Sequence, residues 1–192
     1  MPRKSMVEER SQQILDAFER CVVRYGIEGS TLERVAEEAQ LKRTIIRHYI
    51  GNRDALVEAV AERLRGRLDG QLDTIVAFEG GDREEIVAFL YDGGANCGFS
   101  DVILIEQFIA ASALYPAASQ KILEYVEAYT SAVADLLGRY SDGHPRTWEV
   151  AYGVTAILFN EASLQPLELG QRYSDASVYC VDQLIAGLSG AK

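Results

Sequence analysis

The sequence is poor in the residues that would place it among secreted, metal-binding or catalytic proteins. Cysteine occurs three times, as Cys21, Cys97 and Cys180. These are far apart and in no CxxC arrangement, so neither a disulfide framework nor a zinc site is expected, and each reads as a small apolar core residue. The two histidines, His48 and His144, have no Cys, Asp or Glu at the spacing of a metal site or a triad. Glu37-Glu38 and Glu84-Glu85 read as solvated helix faces. No catalytic residue, metal or cofactor is therefore expected. No window approaches about 18 uninterrupted apolar residues, so no segment is expected to span a membrane. The opening stretch, MPRKSMVEERSQQ, is basic and then polar and lacks the apolar segment of a signal peptide, which makes a cytoplasmic protein the expectation. Internal repeats, low-complexity tracts and convincing strands are absent as well.

Positive charge is also scarce: 19 Lys and Arg against 29 Asp and Glu leave a net charge of −10. That balance argues against a nucleic-acid partner, since such binding comes largely from neutralising phosphates, but the distribution of the charge points the other way. Residues 1–53 carry ten Lys and Arg against eight Asp and Glu, a net of +2. Residues 54–192 carry nine against twenty-one, a net of −12. The pattern suits a small contact module (1–53) on an acidic body (54–192) that repels nucleic acid elsewhere. A hydrophobic content of 48% excludes a disordered chain, and 192 residues suffice for a small domain joined to a larger one.

What is present is helical periodicity. Met1 to Met6 reads as a mobile arm, and Val7 to Tyr25 as a helix with Ile14, Ala17, Phe18, Cys21, Val22 and Tyr25 in one apolar stripe. Gly26 ends it in the left-handed conformation. Either Ser30 or Thr31 caps the next helix; Ser30 would complete a capping box with Glu33, whereas Thr31 would place Arg34 third and lose the box. Asn52 caps a long helix from Arg53 that Gly66 and Gly70 weaken without ending. After a break at Gly80-Gly81, helices are expected over Glu84 to Ala95, over a run capped by Ser100 or Asp101, and from Pro116 as first helical residue. The last two, Arg146 to Ser163 and Arg172 to Leu188, are apolar over broad faces. The chain is expected to be all-α, with about nine helices.

The densest chemistry lies in Thr31 to Arg53. One helix places Leu32, Val35, Ala36 and Ala39 inward, a tight turn follows at Ala39-Gln40-Leu41, and a second helix places Ile45, Ile46 and Tyr49 inward. Between those positions stand Lys42, Arg43, Thr44, Arg47 and His48, five hydrogen-bond donors with no carboxylate among them. Such a helix suits phosphates and base edges. With the helix before it, the segment is a helix-turn-helix unit, whose third helix enters the major groove while the second braces it across the backbone.

The segment from Arg10 to Val60 resembles the DNA-binding domain of the tetracycline-repressor (TetR) family of transcriptional regulators. The resemblance rests on Ile14/Ala17/Phe18, Tyr25-Gly26, Ser30-Thr31, Val35-Ala36, Ala39, Leu41, Ile46, Tyr49-Ile50 and Asn52-Arg53-Asp54-Ala55-Leu56. It implies that Lys42 to Tyr49 is the recognition helix and that Arg43, Thr44, Arg47 and His48 meet bases or nearby phosphates. It further implies a phosphate contact for Tyr49, a phosphate clamp at Arg53 and a backbone contact from Thr31. The sequence departs from the family pattern at Gln40, where glycine is common, at Lys42, where serine often caps, at Arg47, where an aromatic is frequent, and at Ile50, where Phe is typical.

The same resemblance implies a small-molecule effector pocket in the body and a homodimer formed through the last two helices. The residues themselves leave room for a pocket: Tyr91, Phe108, Tyr115, Trp148, Tyr152 and Phe159 lie on helices that should converge, with Asn96, Gln107 and Asn160 as polar tips. Such walls suit a largely apolar or aromatic effector, and ordinary core is the other reading of the same residues. The expected function is a repressor released from double-stranded operator DNA by its effector. The alternatives are a helical enzyme or ligand carrier with an incidental helix-turn-helix module, and a constitutive DNA-binding protein.

Overall fold

Residues 2–92 and 98–189 are described by the structure, a computed structural model. They form nine α-helices and, among the described residues, no strand: α1 (Pro2–Gly29), α2 (Leu32–Glu38), α3 (Arg43–Tyr49), α4 (Arg53–Ala77), α5 (Arg83–Tyr91), α6 (Phe99–Ala110), α7 (Pro116–Tyr140), α8 (Thr147–Leu164) and α9 (Gln171–Ala186). Single 3-10 turns follow the last two, at Gln165–Leu167 and Gly187–Ser189. The all-α expectation holds.

The helices gather into two compact units. The first comprises Met1–Gly66 and Ile103–Leu123, the second Arg67–Val102 and Glu124–Lys192. In the first, Ile14, Phe18, Val35, Ile46, Leu56 and Phe108 are buried to within 1% of full exclusion from solvent. Burying side chains of this size contributes roughly 1.5–3 kcal/mol each. Two ion-paired groups flank that core: Arg63 with Asp16 (2.5 Å) and, more distantly, Glu19 (3.7 Å), and Lys121 with Glu62. In the second unit Leu68, Ile75, Ile86, Leu90, Val133, Leu137, Val154 and Ile185 are fully buried. There α5 is tied to α9 by the Arg83–Asp182 ion pair (2.8 Å) and by the Tyr91 and Ser177 hydroxyls, 2.6 Å apart.

Several local expectations are corrected. The backbone is helical from Pro2 rather than an arm up to Met6, because proline is tolerated in a first turn and the following residues include good helix formers. Gly26 does interrupt α1, at φ 71 and ψ 169, though helical geometry resumes to Gly29. A Cβ there would lie 2.8 Å from the Gln107 Oε1 atom, which accepts a hydrogen bond from the Ile27 amide. Tyr25 does not join the buried stripe. It is 44% exposed, its ring 4.6 Å from the Arg34 guanidinium carbon and 5.8 Å from that of Arg24, partners that favour an aromatic ring at the surface.

The caps are resolved as well. Thr31 caps α2 by accepting from the Arg34 amide (3.3 Å), while buried Ser30 donates its hydroxyl to the Gly26 carbonyl (2.7 Å). Asn52 accepts from the Ala55 amide (2.9 Å) and Asp82 from the Glu85 amide (2.8 Å). Neither Ser100 nor Asp101 caps α6, which already begins at Phe99. The Asp101 carboxylate accepts instead from Arg67 Nη2 and Nε, at 2.7 and 3.1 Å, a charge-assisted pairing of two ionised groups.

Candidate functional site

The turn between α2 and α3 fixes how α3 is presented. The Leu41 amide donates to the Ala36 carbonyl (2.9 Å) and the Gln40 amide to the Glu37 carbonyl (3.0 Å). These two bonds form the Schellman arrangement, which needs a left-handed residue just past the helix end. Gln40 supplies it at φ 54, at a position where glycine would carry no Cβ penalty. Gln13 of α1 donates its side-chain amide to the Ala39 carbonyl (2.8 Å) and fastens the turn to the first helix.

From that turn α3 projects with Ile46 fully buried and Ile45 and Tyr49 half-buried. Lys42, Arg43, Thr44, Arg47 and His48 are all exposed. The five donors therefore share one free surface, and the His48 ring meets the Tyr49 ring edge-on at 5.1 Å. Lys42 and Arg47 have no ion pair among the described residues. Arg43 pairs with Glu33 of α2, but both side chains are about half exposed, so the pair is worth no more than about 1 kcal/mol and is readily exchanged. The neighbouring cations of α1 are otherwise engaged. Arg20 (2.6 Å) and, more loosely, Arg24 (3.8 Å) face Glu38, and the hydrogen bond from Arg20 holds that carboxyl below its ordinary range.

The other two sequence-derived positions stand apart from this face. The Thr31 hydroxyl is occupied in capping α2. Arg53 lies at the start of α4, and its Nη2 donates to the Ile27 carbonyl at 2.5 Å; its guanidinium carbon is 5.9 Å from the Tyr115 ring, and its buried Nε has no hydrogen-bond partner among the described residues. The guanidinium is thus directed onto its own chain.

Of the residues expected to line a pocket, Tyr91 and Asn160 border a cavity of the second unit. Gln107 is spent on the Ile27 amide and Phe108 is core of the first unit. Trp148 and Tyr152 stack on each other, centroids 6.0 Å apart, at 56% and 61% exposure. Phe159 is half-buried and Asn96 lies outside the described residues. Helical periodicity tells which residues share a face, but not which face meets which. A cavity of about 770 Å³, partly open to solvent, does exist in the second unit. It is lined by α8, the connection after it and α9, with Tyr91 from α5. Burial pushes the Tyr91 phenol above its ordinary pKa, with the Ser177 hydrogen bond acting the other way. Apart from Tyr91, and Asn160 as a polar tip, its polar lining of Glu161, Glu168, Tyr173, Ser177 and Cys180 had no sequence signal, because these residues come together only through packing.

No family model matches the chain. It is 41% identical over 59 residues to the HTH-type transcriptional regulator BetI of Burkholderia thailandensis, a match that covers 31% of this chain and only 30% of that protein. Solved structures are similar over nearly the whole length. A TetR-family transcriptional regulator from Cytophaga hutchinsonii has a TM-score of 0.74 at 16% identity, covering 97% of this chain and 98% of that one. A TetR-like regulator from Rhodococcus sp. RHA1 has a TM-score of 0.70 at 17% identity, covering 95% and 97%. The multidrug binding protein EbrR, complexed with malachite green, has a TM-score of 0.59 at 24% identity, covering 92% and 98%.

Proposed function

From the fold of TetR-family transcriptional regulators, which this chain has, we propose that it is a cytoplasmic, ligand-controlled DNA-binding repressor rather than an enzyme. The observation that carries this reading is the exposed, carboxylate-free face of α3 on which Lys42, Arg43, Thr44, Arg47 and His48 stand together. On a chain of net charge −10, such a face has little use except toward a polyanion. Residues 1–53 are the DNA-binding part: α3 enters the major groove, Arg43, Thr44, Arg47 and His48 read bases or adjacent phosphates, and Lys42 and Tyr49 hold the backbone. Thr31 adds a backbone contact, and Arg53 exchanges the Ile27 carbonyl for a phosphate.

Residues 54–192 bind the effector and form the homodimer. Trp148, Tyr152, Val178 and Tyr179 on α8 and α9 are between 38% and 64% exposed, which favours a partner surface there. A twofold pair presents two recognition helices about 34 Å apart, one turn of DNA. The effector is a small, largely apolar or aromatic molecule that prefers the state with the wrong spacing, and so releases the operator. EbrR, a structural neighbour, is a multidrug binding protein, which fits an effector of this kind. Among the described residues no helix is long and apolar enough to cross a membrane.

The test is fluorescence anisotropy on DNA from upstream of the protein's own gene. The double variant Lys42→Ala, Arg47→Ala should bind at least tenfold more weakly near physiological salt. The slope of log affinity against log salt should flatten by about one unit per lost phosphate contact. Wild-type affinity and slope in the double variant would overturn the assignment.

A further inference from the structure

The cavity of the second unit has a charge pattern that its volume alone does not require. Two carboxylates, Glu161 on α8 and Glu168 on the connection that follows, are in its lining, and no lysine or arginine stands beside them among the described lining residues. One Glu161 oxygen, Oε2, is fully sheltered from solvent and has no hydrogen-bond partner among the described residues. A sheltered carboxylate oxygen without a donor is costly, and proteins ordinarily place a cation or several N–H groups against it. Among the described residues nothing donates to that oxygen, and Glu161 itself is part of the cavity lining.

The remaining walls narrow what could fill that space. Tyr91 and Tyr173 offer ring faces, and Leu158, Leu164 and Leu169 offer apolar surface. Aromatic rings attract cations through their negative faces, and at about 770 Å³ the cavity falls in the range of roughly 300–1,000 Å³ typical of sites for drug-sized molecules, far beyond a bare ion. We propose that this cavity binds an organic monocation with an aromatic or apolar body, its positive charge set against Glu161 and flanked by Tyr91 and Tyr173. The inference rests on reading residues 54–192 as the effector-binding part, and it assigns that effector a charge.

The experiment is equilibrium dialysis of the full chain against tetraphenylphosphonium and against tetraphenylborate, which share a shape and differ in the sign of charge. Tetraphenylphosphonium should bind saturably, one per chain, at least tenfold more tightly than tetraphenylborate. Glu161→Gln should weaken the cation tenfold or more without weakening the anion. Tyr91→Phe, which keeps the ring and loses only the hydroxyl, should stay within threefold. If Glu161→Gln does not fold, Glu168→Gln on the exposed connection replaces it, with a loss of at least threefold expected. Equal binding of the two ions, or unchanged cation affinity in the carboxylate variant, would overturn the proposal. DNA binding, measured separately without either ion, keeps the two readings apart. Charge discrimination without DNA binding removes only the repressor, and DNA binding without charge discrimination removes only this inference.

Discussion

Replacing Gln40 with glycine isolates the cost of the turn that presents α3. Gln40 holds φ 54, and a residue with a Cβ in the left-handed region is roughly 1–2 kcal/mol less stable than in the right-handed one. Glycine removes that strain but gains freedom in the unfolded chain, which costs about 0.4–1 kcal/mol. The Gln40 side chain is exposed and its described hydrogen bond is made by the backbone amide, so the exchange sacrifices no side-chain contact. The balance is a stabilisation of about 0.5–1 kcal/mol. For a chain of this size a change of 1 kcal/mol moves Tm by about 2–4 °C, so Gln40→Gly should raise the melting temperature by about 1–4 °C in a calorimetric scan. Gln40→Ala, which keeps the Cβ, should leave it within about 1 °C. A Gly variant that melts at or below the wild type would refute the idea that the turn is strained.

Two further outcomes follow from the geometry. Tyr152→Glu with Tyr179→Glu puts charge on two of the exposed aromatic positions of α8 and α9 and should shift the sedimentation of the chain from dimer to monomer at micromolar concentration; an unchanged dimer would move the interface elsewhere. The Glu38 carboxyl has a folded pKa below its ordinary 4.5 because of the Arg20 hydrogen bond. Its contribution is therefore present above the unfolded value and lost as pH falls through the folded one. Glu38→Gln should accordingly melt lower than the wild type at neutral pH, and the difference should vanish under strongly acidic conditions.

The helix-turn-helix module was legible because its signals are local. Leu32, Val35, Ala36, Ala39 and Ile46 follow helical spacing and are all buried, and Asn52 caps α4 as its place before Arg53 suggests. Even the choice between Ser30 and Thr31 needed only one hydrogen bond to settle. The direction of Arg53 was not legible, since reach toward a phosphate and reach toward the Ile27 carbonyl start from the same position in the chain. The direction in which the aromatic residues of α8 face was not legible for a related reason. Trp148 and Tyr152 have the spacing of a buried stripe and lie on the exposed side of α8, while Glu161, for which the sequence carries no signal, lines the cavity.

The two ties between α5 and α9 are unequal in span. Arg83 and Tyr91 are separated by about 12 Å of helix rise, whereas their partners Asp182 and Ser177 are separated by about 7.5 Å. Because the order reverses, with the first residue of α5 meeting the later residue of α9, the helices run against each other and the surplus of about 4.5 Å must be absorbed by the crossing angle and the reach of the arginine and tyrosine side chains. Each tie is then a pivot for the other. If the Tyr91 tie is broken, α5 is still held to α9 at Arg83, and a displacement of its C-terminal turn falls off along the nine residues toward that end.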